Sequence, residues 1–74
     1  MLSFRFKKAE PGRVPDELDI VVDEAGLKSL LAQLHFLEMK RTDHVHLMSE
    51  AWGGTHLQTS DDDLSIHKVT IHKV

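Results

Sequence analysis

Residues 18–48 read LDIVVDEAGLKSLLAQLHFLEMKRTDHVHLM, and this stretch decides the fold. Its middle repeats leucine at helical spacing. Leu27, Leu30, Leu31, Leu34 and Leu37 form one apolar stripe, which predicts a helix over 24–40 with that stripe turned to a core. Asp23 is suited to the N-cap, because its carboxylate can accept from the orphan N–H groups of the first turn. Glu24 at the start and Lys40 and Arg41 at the end carry the signs that the helix dipole favours. His35 and Phe36 fall at the margin of the stripe. On either side the period drops to two. LDIVV sets Leu18, Ile20 and Val22 on one face, and HVHLM sets Val45 and Leu47 opposite His44, His46 and Met48.

Working outward, SFRFKK alternates Phe4 and Phe6 with Arg5 and Lys7, a half-buried strand. Pro11, Gly12 and Pro15 mark the loop that joins it to LDIVV as a hairpin. Beyond the third strand, Gly53 and Gly54 supply a turn, and residues 55–58 can return as a short strand. Asp61, Asp62 and Asp63 repel one another and make a loop. The tail LSIHKVTIHKV is a strand in which strict alternation cannot put Ile66 and Val69 on one side; a bulge near His67 or Lys68 would reconcile them, and the alternative is a sheet edge that uses both faces. The sum is β-β-α-β-β-β: an α+β domain over 1–74, with an antiparallel sheet of four to five strands and one helix on one face. The other face is open, carrying Arg5, Lys7, Val21, His44, His46 and Met48.

Composition narrows the function. A chain of 74 residues buries only about 60% of its unfolded surface, so the core needs every large apolar side chain and a deep active site is hard to fit. No serine elbow, glycine-rich phosphate loop or helical metalloprotease motif occurs, and the triple aspartate lacks calcium-loop spacing; the expectation is no enzyme and no cofactor. There are no cysteines, which removes disulfides and thiolate sites. No apolar run matches a signal peptide or a membrane span, so a cytoplasmic setting with no membrane partner is expected.

The net charge of −3 disfavours binding to a nucleic-acid backbone, while protonation of all six histidines would carry it to +3. Charge is also blocked along the chain. Arg5, Lys7, Lys8 and Arg13 lie in the first fifteen residues, whereas residues 16–24 hold five acids and no base, a pattern that suits electrostatic choice of partner.

The candidate site is DHVHLMSEAWGG, residues 43–54. His44 and His46 share a strand face with Cβ atoms about 6.5–7 Å apart, close enough to bind one metal ion if His56, His67, His72 or Glu50 supplied a third ligand. The same spacing arises on any solvated strand face. Trp52, the sole tryptophan, either caps one end of the core or stands at the loop tip as an interface anchor.

DHVHLMSEAWGG, following the leucine-rich GLKSLLAQL, resembles the immunity protein 32 family, small bacterial antidotes of polymorphic toxin systems. The resemblance spans residues 26 to about 57 and is strongest at His44, His46, Trp52, Gly53 and Gly54. It implies a non-enzymatic protein that neutralises a cognate toxin by direct binding. In that reading His44, His46 and Trp52 make contacts, Gly53 and Gly54 shape the loop, and Asp61, Asp62 and Asp63 steer the partner. The rival expectations are a histidine-based metal-binding or metal-sensing module and a homodimer that hides its open face.

Overall fold

The computed structural model describes residues 1–60 and 64–74. Its elements are strands β1 (Leu2–Phe6) and β2 (Leu18–Val22), helix α1 (Glu24–Glu38), strand β3 (His44–Met48), a 3₁₀ turn (Glu50–Trp52) and strand β4 (Lys68–His72). The α+β class stands, but the single sheet of four to five strands does not. There are two antiparallel two-stranded sheets, β1–β2 and β3–β4. The expected strand over 55–58 is reduced to one bridge, Ser49 with Leu57, because backbone N–H groups of His56 and Leu57 both converge on the Met48 carbonyl.

Residues 64–66 stitch the sheets together. The Phe6 N–H donates to the Leu64 carbonyl and the Ile66 N–H to the Phe4 carbonyl, so β1 is bonded along both edges. At His67 the chain bends, leaves β1 and continues as β4 beside β3. The bend is what lets Ile66 and Val69 both pack on the core despite their wrong parity for an unbroken strand.

The core is small: Leu2 and Phe4 from β1, Leu47 from β3 and Leu57, with Leu30, Ile66, Val69 and Ile71 packed against them. Leu47 is fully buried at 0% exposure. Val45 and Leu47 point inward and His44 and His46 outward, as the alternation of β3 requires.

The helix sits differently from its leucine stripe. Leu37 and Gly26 are buried and Leu30 is half-buried, but Leu27, Leu31 and Leu34 are exposed. Gly26 explains the rotation. A Cβ built there would lie 1.7 Å from the Met1 carbonyl oxygen, so only a glycine lets α1 approach the start of β1 this closely. Gly26, Leu30 and Leu37 lie nearly one above another at 3.6 residues per turn, and Leu27, Leu31 and Leu34 fall about a quarter-turn aside. At its N-terminus Asp23 caps as expected, accepting from the Gly26 N–H at 2.8 Å. The amino group of Met1 and that Gly26 N–H hold the Asp23 carboxyl below its ordinary range. At the other end the helix stops earlier than the expected residue 40, because Lys40 adopts a left-handed φ of 58°. No helix among the described residues is long and apolar enough to cross a membrane.

Candidate partner-binding face

The register of β3 and β4 pairs His44 with His72, His46 with Thr70 and Met48 with Lys68. Directly opposed residues share a face, and Val45 and Leu47 occupy the inner one. The outer face therefore carries three imidazoles in two rows. The His44 and His46 rings meet edge to face with centroids 4.9 Å apart, and His44 lies 6.0 Å from His72.

Hydrogen bonds orient two of these rings. His44 Nδ1 is 2.7 Å from Asp43 Oδ1, and His46 Nδ1 is 2.9 Å from Thr70 Oγ1. The bond from His44, reinforced by the charge on that ring, holds the Asp43 carboxyl below its ordinary range. His46 moves in the same direction: partial desolvation of the ring, then Lys68, His44 and His72 nearby, push its pKa below the ordinary 6.5. That shift favours the uncharged form of the His46 ring.

Trp52 lies in the turn just beyond the Met48 end of β3. The chain leaves β3 through Ser49, which is 1% exposed. Ser49 N–H donates to the His67 carbonyl at 2.9 Å, and its Oγ lies 2.8 Å from His67 Nδ1. These bonds fix the His67 ring, and the Trp52 indole stacks on it with centroids 5.5 Å apart and planes 5° from parallel. Trp52 remains 55% exposed, so it stands at the surface and does not cap the core. The glycines hold it there by different means. Gly53 takes φ 86°, a left-handed conformation, as its N–H closes on the Glu50 carbonyl. Gly54 donates to the Ser49 carbonyl, and a Cβ on it would lie 2.4 Å from the Met48 carbonyl oxygen.

Of the residues singled out from sequence, His44, His46, Trp52, Gly53 and Gly54 lie along β3 and the turn that follows it. Asp61, Asp62 and Asp63 lie outside the described residues. Arg5 and Val21 belong to the other sheet, where Arg5 faces Asp19 and Ser3 faces Val21. Of the proposed third metal ligands, His72 joins His44, whereas His67 is engaged by Ser49 and Trp52. His56 Nδ1 is buried with no hydrogen-bond partner. Among the described residues, no group of three His, Cys, Asp or Glu side chains is placed to hold a metal ion. The parts that sequence reasoning did not find are Ser49, Thr70 and the stacking of Trp52 on His67. His67 at the bend and His72 on the outer face follow the five-residue spacing of the two IHKV repeats.

No family model matches the chain, and neither does any curated protein or any solved structure.

Proposed function

We propose that this chain is a small non-enzymatic protein-binding domain that acts as a bacterial immunity protein, neutralising a cognate toxin by direct contact through the outer face of β3–β4 and the Trp52 turn. The observation that carries the reading is the Trp52 indole, exposed yet stacked on a histidine that is itself locked by Ser49. An aromatic group held in place before binding loses little freedom on docking, which is the property of a strong anchor. Along the outer face of the same sheet, His44, His46, Thr70 and His72 supply adaptable hydrogen-bonding groups. The toxin-specific part of the reading rests on the resemblance to the immunity protein 32 family.

The test is biological. The product of the adjacent reading frame is expressed in a host cell with and without this protein, and survivors are counted. Rescue from toxicity with co-purification of the pair is the expected result. A toxic neighbour that this protein neither relieves nor binds would overturn the immunity reading.

A further inference from the structure

On the far side of the molecule, β2 has β1 along one edge and, among the described residues, no strand along the other. Backbone bonds at the ends of the hairpin, Lys7 N–H to Glu17 carbonyl and Asp23 N–H to Met1 carbonyl, set the alternation. Glu17, Asp19, Val21 and Asp23 turn their backbone groups toward β1, so Leu18, Ile20 and Val22 turn theirs outward. The side chains of all three are exposed, Ile20 at 51%. Such an edge is a template for an added strand.

The surrounding acids decide which strand fits. Asp16, Glu17, Asp19, Asp23 and Glu24 flank and interleave the apolar residues. A second copy of β2 adding antiparallel about a two-fold axis has three registers that keep the apolar faces together and pair at least three strand residues. Centred on Ile20, it sets Glu17 against Asp23 and Asp16 against Glu24. Centred on Asp19 it opposes two copies of Asp19, and centred on Val21 it opposes Asp19 with Asp23. Every one of these places like charges directly opposite, which is destabilising. Shifting by one residue instead throws the apolar side chains to opposite faces. The edge is thus guarded against its own copy.

We infer that the free edge of β2 is a docking site for an extended basic segment of another protein. The segment adds as an antiparallel strand, with apolar residues opposite Leu18, Ile20 and Val22 and Lys or Arg opposite the acids. The cations already present do not block it. Lys7 reaches Glu17 at 3.4 Å and Lys28 reaches Glu24 at 3.7 Å, both exposed pairs that contribute little and exchange readily, while Arg5 stands opposite Asp19 and the Met1 amino group holds Asp23 on the β1 side, away from the free edge. This surface is separate from the β3–β4 face, and its test does not depend on the immunity reading.

The probe is a capped peptide, Lys-Lys-Val-Thr-Val-Lys-Val-Lys-Lys, titrated into the full chain beside a control with every Lys replaced by Glu. Binding is followed by backbone amide shifts and hydrogen exchange. At low salt the basic peptide is expected to bind at least about tenfold tighter than the acidic one, with the gap narrowing at about 0.5 M salt. Protection should rise at the Leu18, Ile20 and Val22 amides. The variant Asp16→Lys/Glu17→Lys should lose the preference and dimerise, since its Ile20-centred register becomes self-complementary. Adding Ile20→Pro, tolerated on an edge whose N–H points outward, should abolish both peptide binding and that dimer. Equal or absent binding of the two peptides, or a charge-reversed variant that stays monomeric at millimolar concentration, would overturn the proposal.

Discussion

The two strands that flank the helix have the same apparent pattern and opposite fates. β3 buries Val45 and Leu47 completely or nearly so, while every residue of β2 is exposed. Alternation identifies which side chains share a face, but it does not say whether anything covers that face. One helix of fifteen residues covers β1 and β3, and it leaves the β2 side chains and one of its own flanks to solvent. The inner side of β3 is core, whereas β2 leaves apolar side chains at the surface.

The sharpest way to break this comparison is a pair of truncations measured by denaturant unfolding. Leu47→Ala should cost about 4 kcal/mol, since it opens a cavity in the core cluster of buried side chains, and should leave a domain of this size largely unfolded. Ile20→Ala should cost less than about 1 kcal/mol, because half of that side chain already meets water. Comparable losses would mean that β2 is covered after all.

Gly26→Ala comes next, at about 2–3 kcal/mol. The added Cβ collides with the Met1 carbonyl and must push α1 off β1. A thermal melt of the variant reads the effect, and an unchanged midpoint would show that the helix does not seat on this glycine. Lys40→Gly has the opposite sign and should stabilise by about 1 kcal/mol, because glycine takes the left-handed C-terminal conformation without a steric penalty.

The smallest effect distinguishes the histidine face from the hairpin by its response to pH. His46 and Asp43 both hold protons less readily in the fold than in the unfolded chain. Their contribution is therefore fully present above their ordinary values and is lost as pH falls, His46 through the region below 6.5 first and Asp43 in stronger acid. The melting temperature should drop modestly between pH 7.5 and 5.5, and His46→Gln should flatten that part of the profile.

Much of the fold was legible because local rules act on adjacent residues. Asp23 as cap, the leucine-rich helix, the inward Val45 and Leu47, and the break near His67 all follow from spacing and charge. The seating of the helix was not, since it depends on a glycine meeting the backbone of Met1, twenty-five residues earlier, and leucine periodicity alone points the stripe the wrong way. The division into two sheets was hidden for a similar reason: it arises where residues 64–66 cross from one partner strand to another, a long-range choice. For the site, the H-x-H pattern and the lone tryptophan were visible, but not the Ser49–His67–Trp52 arrangement that orients the indole.

The central claim is that the exposed, pre-positioned Trp52 anchors a partner. It is tested most directly by titrating the purified product of the adjacent reading frame with the wild-type chain and with Trp52→Ala, after confirming that both melt alike. The predicted result is a loss of about thirtyfold or more in affinity, the scale of a central aromatic anchor. An unchanged affinity in a folded Trp52→Ala variant would contradict it, and would move the contact away from the Trp52 turn.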